Sequence, residues 1–115
     1  LKAFNHCKSS VKKFGGIEED YHAIHSWFDE SKIHCADLRH RILRHHTLGV
    51  AECEKTFGIY IINSDGKKVI VKSIAEQHIL EDLSFIPSLQ DWLTNVRLQR
   101  WMNNTKTKPR KMNLA

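Results

Sequence analysis

The hydrophobic period of this chain changes twice, and that change limits the folds open to it. Up to Phe57 the apolar residues recur at helical spacing; between Ile59 and Val71 they follow strand spacing; from Ser73 onward helical spacing returns. The two strand-like runs, Ile59-Tyr60-Ile61-Ile62 and Val69-Ile70-Val71, flank Asn63-Ser64-Asp65-Gly66. Asn, Asp and Gly tolerate the backbone of a tight turn, so this stretch predicts one antiparallel hairpin. A chain of 115 residues has room for a single core. The fold expected is α+β, a mostly helical single domain with one antiparallel β-hairpin packed beside the helices.

The helical stretches carry their own punctuation. A first helix is expected over about 3–14, stopped by Gly15-Gly16. A second should run over about 18–30, with acids in its first turn where the helix dipole favours them. On its helical wheel Tyr21, Ala23, Ile24, Trp27 and Phe28 cover one side, and His22, His25, Ser26 and Asp29 the other. A longer pattern, 33–56, sets Cys35, Leu38, Ile42, Leu43, Val50, Cys53 and Phe57 on one face, with Gly58 as the stop. Gly49 within it costs about 1 kcal/mol relative to Ala and marks a place for a kink or a break. Arg39 and His46 fall on the apolar side, so each is expected to have a partner, His46 as a buried, hydrogen-bonded core residue. Ser73-Ile74-Ala75-Glu76 matches a capping box opening a helix to about Leu83. Pro87-Ser88-Leu89-Gln90-Asp91 opens a short one carrying Trp92, Leu93 and Val96.

Charge divides the chain. Residues 1–13 hold Lys2, Lys8, Lys12 and Lys13 without an acid; residues 97–115 hold Arg97, Arg100, Lys106, Lys108, Arg110 and Lys111, also without an acid. All 13 acids lie from Glu18 to Asp91, leaving the middle at −5 and the two ends together at +10. The organisation expected is a globular domain over 1–96 and a basic, flexible tail over 97–115. No apolar run approaches the roughly 18 residues of a membrane span, so no membrane association is expected. Cys7, Cys35 and Cys53 are odd in number, far apart and without a CxxC; free thiols of this kind suit an intracellular, reducing compartment, the cytoplasm or an organelle matrix. Gly15-Gly16 lacks the Gly-Lys-Ser/Thr of a phosphate loop, and Asp65-Gly66 lacks the oxygen ladder of a calcium loop.

Chemistry concentrates in histidine. Six of the eight histidines lie between positions 22 and 46. His22, His25 and Asp29 fall within about 60° of each other on one helix, and Asp37, His40, Arg41 and Arg44 share a polar face on the next. His78 and Asp82, four apart, make a third polar group. Imidazoles and a carboxylate converging between helices supply the donors a divalent metal such as zinc, manganese or iron takes, so His22, His25, Asp29, His40 and His78 are the candidate ligands. No HExxH is present, and imidazoles on polar faces commonly serve as surface residues. If such a site is catalytic, metal-assisted phosphoester hydrolysis is the class that fits, with Arg41 and Arg44 offsetting phosphate charge. A thiol nucleophile is disfavoured, because Cys35 and Cys53 sit on the apolar stripe where burial makes a thiol inert. The alternative is a non-enzymatic accessory component of a larger nucleoprotein assembly. Arg97, Arg100, Lys106, Lys108, Arg110 and Lys111, with Trp101 for stacking, would then bind nucleic acid or an acidic protein surface.

The segments Tyr21-His22-Ala23-Ile24-His25-Ser26-Trp27-Phe28-Asp29-Glu30-Ser31-Lys32 and Asp37-Leu38-Arg39-His40-Arg41-Ile42-Leu43-Arg44-His45-His46 resemble a family of small bacterial and phage proteins. Asn63-Ser64-Asp65-Gly66, Glu76-Gln77-His78 with Glu81-Asp82, and Ile86-Pro87 with Asp91-Trp92-Leu93 are similar to its later motifs. The resemblance spans about residues 5–95. It implies a stand-alone domain of unknown function whose polar motif residues belong to the family pattern, and it implies no activity.

Overall fold

The computed structural model describes residues 2–103, and within them the chain folds as a mostly helical α+β domain with one two-stranded antiparallel sheet. Helix α1 (Ala3–Phe14) ends where expected, because Gly15 (φ 83°) and Gly16 (φ 76°) adopt the left-handed backbone that lacks a steric penalty only for glycine. Helix α2 (Glu19–Phe28) buries Tyr21, Ile24, His25 and Phe28, spaced three, four and seven residues from the first. His25 therefore belongs to the buried stripe of α2, while His22 and Ala23 are exposed.

The long third helix does not form. In its place are two 3-10 turns, Glu30–Ile33 and Leu38–Leu43, followed by helix α3 (Thr47–Phe57). Two side chains redirect the backbone. The Asp37 carboxylate accepts the Arg39 N–H at 2.8 Å and caps the second turn. His46 is extended (φ −163°, ψ 175°), and its Nδ1 accepts the Gly49 N–H at 3.0 Å, which makes it the N-cap of α3. Gly49 thus sits in the first turn of α3 and lies against the Arg44 carbonyl, where a Cβ would come within 1.7 Å. Because the helix breaks, Ile33, Leu38 and Leu43 are exposed, and Cys35 is partly so. Arg39 is exposed as well and pairs with Asp37 at 2.7 Å. His46 is buried, as expected, and is held by a backbone N–H rather than packed inside a helix.

The hairpin pairs β1 (Tyr60–Ile62) with β2 (Lys68–Ile70) in the register Tyr60↔Ile70, Ile61↔Val69 and Ile62↔Lys68. Its turn is tied to the first two helices. The Asn63 side-chain amide donates to the Phe14 carbonyl (3.1 Å) and to the Tyr21 hydroxyl (3.2 Å), while its Oδ1 accepts from the Asp65 and Lys67 N–H groups. Helix α4 (Val71–Leu83) starts directly at the end of β2, two residues before the Ser73 capping box, which does not form. It buries Val71, Ile74, Ala75, Gln77, His78 and Ile79, more than one stripe, because α1, α2 and α3 all pack around it. Helix α5 (Leu89–Leu93) opens with the Ser88–Asp91 capping box. No helix among the described residues is long and apolar enough to cross a membrane.

Candidate metal centre

Among the described residues, six of the nine that are polar and buried are histidines. His6, His25, His40, His45, His46 and His78 are all buried. A buried imidazole leaves two nitrogens to account for, so each must find a partner. Most of these rings turn toward two carboxylates, Asp29 at the C-terminal end of α2 and Asp82 one turn after His78 on α4.

His45 Nε2 lies 3.0 Å from Asp82 Oδ2 and 3.6 Å from Asp29 Oδ1. His78 Nε2 lies 3.3 Å from Asp82 Oδ2 and 3.7 Å from Asp29 Oδ2. These four residues place one donor atom each within 4.8 Å of the others. The side chains of His45 and His78 are 0% exposed, Asp82 1% and Asp29 11%, so Asp29 forms the solvent edge. Two more rings abut the outer oxygens: His6 Nε2 is 3.2 Å from Asp82 Oδ1, and His40 Nε2 is 3.2 Å from Asp29 Oδ1. Arg41 reaches Asp82 Oδ1 at 3.6 Å.

Hydrogen bonding on the far side of each ring shows what these nitrogens carry. His40 Nδ1 faces the Asp37 carbonyl at 2.8 Å and must donate to it; His6 Nδ1 likewise donates to Glu81 Oε1 at 2.8 Å. In the neutral imidazole the remaining nitrogen is then a lone pair. Lone pairs on His6 Nε2 and His40 Nε2 facing carboxylate oxygens repel unless a proton or a cation lies between them. His6 Nε2, His78 Nε2 and Asp29 Oδ2 are buried with no hydrogen bond of acceptable geometry. His45 differs: its Nε2 donates to Asp82 Oδ2 at 3.0 Å and its buried Nδ1 has no partner among the described residues, so a metal ion on Nε2 would take the place of that proton.

Its electrostatics follow. Burial, and then the neighbouring His78 and His6, push the His25 pKa down to about 2, so His25 is neutral. Burial also opposes charge on His78, but the Asp29 and Asp82 carboxylates outweigh it and raise its pKa. Burial would raise Asp29, yet the hydrogen bond and charge of His78, with Lys32 and His45, hold it down to about 2. Asp82 is held far below the carboxylate range by His45, His6 and His78 despite its burial. Without a metal, the two carboxylates therefore favour the protonated form of His78.

The residues expected from sequence divide. Asp29 and His78 stand in the four-residue set, His40 abuts Asp29, and His25 touches His78 from behind, with Nδ1 atoms 3.0 Å apart. His22 stands apart on the exposed side of α2. Arg44 turns away, stacked over Trp27 at 3.9 Å and bonded to the Trp27 carbonyl and Glu30. Sequence reasoning missed His6 and His45 and left Asp82 out of the ligand set. The His78–Asp82 spacing of four was the available signal for Asp82. For His45 and His46 adjacency argued against a shared site, and the two do diverge: His46 caps α3 while His45 enters the cluster. Nothing in the pattern of α1 marked His6. Arg97 and Arg100 are exposed; Lys106, Lys108, Arg110 and Lys111 lie outside the described residues.

No curated protein and no solved structure matches this chain. Residues 1–102 match a family known as a domain of unknown function, DUF6915, and the chain belongs to that family.

Proposed function

We propose that this domain binds one divalent transition-metal ion between Asp29, His45, His78 and Asp82. The observation that carries the reading is the spacing of the donors. Bonds of about 2.0–2.2 Å in a tetrahedral site require donor atoms ~3.3–3.6 Å apart. The contacts between these rings and carboxylates measure 3.0, 3.3, 3.6 and 3.7 Å, with Asp29 offering Oδ1 to His45 and Oδ2 to His78, and one donor atom from each of the four residues lies within 4.8 Å of the others. Asp29 and Asp82 supply anionic oxygens for a divalent ion, and a bound ion takes the place of the proton that these carboxylates favour on His78.

Donor chemistry narrows the metal. Calcium and magnesium take oxygen ligands, whereas mixed imidazole and carboxylate sets suit zinc, iron or manganese. The ion would join the end of α2, the segment between the two 3-10 turns and α3, and the middle of α4, and so act as a cross-link in a core poor in large apolar side chains. Of the two arginines, Arg41 approaches the site and Arg44 does not, which weakens a phosphate-binding role for the pair.

Titration of zinc or manganese into chelator-treated protein, followed by elemental analysis, tests the proposal. One tightly held ion per chain is expected, lost in His78→Ala and Asp82→Asn and retained in His22→Ala. Binding by His78→Ala equal to that of the parent, or no binding by the parent, would overturn it.

A further inference from the structure

Three groups behind His78, namely Gln77, Ser10 and His25, form a directed chain that ends on it. The Gln77 amide nitrogen donates to the His6 carbonyl (3.0 Å) and to Glu81 Oε1 (3.0 Å), two groups that only accept. That fixes the amide orientation and leaves Gln77 Oε1 as an acceptor 2.7 Å from Ser10 Oγ. Ser10 Oγ is also 3.1 Å from the His6 carbonyl, a second pure acceptor. The single hydroxyl proton of Ser10 therefore goes to one of these oxygens, and its oxygen must accept from the third neighbour, His25 Nε2 at 2.7 Å. His25 is fully buried and its hydrogen-bond partners, Ser10 Oγ and His78 Nδ1, include no carboxylate to offset a charge, so the ring holds one proton, and a proton on Nε2 leaves a lone pair on Nδ1. That lone pair faces His78 Nδ1 at 3.0 Å, which must donate. The lone pair of His78 then lies on Nε2, aimed at Asp29 and Asp82. Stacking between Phe28 (4.8 Å) and His6 (3.9 Å) holds the ring plane.

We propose that Gln77, acting through Ser10 and His25, is a positioning residue that fixes the His78 tautomer and points its Nε2 at the metal. The inference rests on the metal-binding reading for its purpose, but the chain of tautomers stands on hydrogen-bond geometry alone. It also decides between two clusters that share His78. The His6–His25–His78 stack has donor atoms as close together as the Asp29–His45–His78–Asp82 set. With His78 Nδ1 protonated toward His25, that stack is the outer support of one ion and does not hold a second. Support of this kind typically contributes 10- to 100-fold in metal affinity.

Long-range proton–nitrogen correlation spectra of the nitrogen-labelled full chain, metal-free and zinc-loaded, read the tautomers directly. His25 protonated on Nε2 is expected in both states, and His78 protonated on Nδ1 with zinc on Nε2 in the loaded state. A His25 proton on Nδ1, zinc on His78 Nδ1, or a second zinc equivalent on His25 would overturn the proposal. Ser10→Ala should weaken zinc binding about 10- to 100-fold, and Ser10→Thr, which keeps the hydroxyl, should bind within about threefold of the parent. Equal binding by Ser10→Ala would also overturn it. If the parent bound no zinc, the metal reading would fall, and the His25 tautomer in the metal-free protein would still test the chain.

Discussion

Gly49→Ala should destabilise this domain, although a Gly-to-Ala change in the first turn of an unobstructed helix normally stabilises it by up to about 1 kcal/mol. The sign reverses because of what surrounds the position. An alanine Cβ would stand 1.7 Å from the Arg44 carbonyl oxygen and 2.6 Å from its carbon, against a tolerable carbon–oxygen separation of roughly 3.3 Å. The obstacle is backbone, so no side chain can swing aside. Either the Arg44–His45 peptide retreats by about 1.6 Å or the first turn of α3 unwinds and loses the His46 cap. The retreat is overpacking and costs about 1–3 kcal/mol, whereas the unwinding forfeits a cap of about 1 kcal/mol together with the propensity gain, so either way a net loss of roughly 1 kcal/mol remains. Arg44 immediately precedes His45, so the retreat also displaces a proposed ligand and should weaken zinc binding. Urea denaturation of the metal-free variant followed by circular dichroism measures the first effect, and zinc titration the second. A midpoint equal to or above that of the parent would refute the reasoning. It would mean that α3 continues upstream as one helix, with Arg44 far from residue 49.

Other perturbations follow from the same structure. Native protein treated with a thiol reagent should label at Cys35, while Cys7 and Cys53 stay unreactive until unfolding, since both are buried and burial pushes their thiols up to about 11 and about 12; mass spectrometry of the labelled peptides reads the pattern. His46→Ala should cost roughly 1–2 kcal/mol through loss of the α3 cap, and His46→Asn should recover part of it. In metal-free protein, stability should fall as pH drops below about 6.5: His25 stays neutral in the folded state while the unfolded chain takes up a proton, a loss of roughly 1.4 kcal/mol per pH unit. His78, raised in the folded state, acts in the opposite sense, adding stability that is lost as pH rises through its folded pKa, so denaturation curves across pH should place the optimum near the ordinary imidazole value.

The fold was legible where local signals agreed with each other. The Asn63-Ser64-Asp65-Gly66 turn, the glycine pair after α1 and the helix start at Pro87-Ser88 all mark positions at which backbone chemistry leaves few options. The helix expected over 33–56 failed because periodicity ignores competition from side chains. Asp37 and His46 each accept a backbone N–H that a continuous helix would have used, and Gly49 permits the close approach that follows. The candidate site was half legible for a related reason. Asp29, His40 and His78 lie on segments whose polar spacing could be read, but His25 was assigned to the polar face of α2 and is in fact buried beside Tyr21 and Phe28. His6 and His45 reach the cluster through tertiary packing around α4, which no local period encodes. A core that contains imidazoles also misleads a reading in which histidine counts as polar surface.

X-ray absorption at the zinc edge of the loaded, full-length protein tests the central claim most directly. About two imidazole nitrogens and two carboxylate oxygens at ~2.0–2.2 Å, and no sulfur, are expected. A sulfur shell at ~2.3 Å would place the ion on Cys7, Cys35 or Cys53 instead, and a shell without imidazole would place it on surface carboxylates; either result would contradict the site built from Asp29, His45, His78 and Asp82.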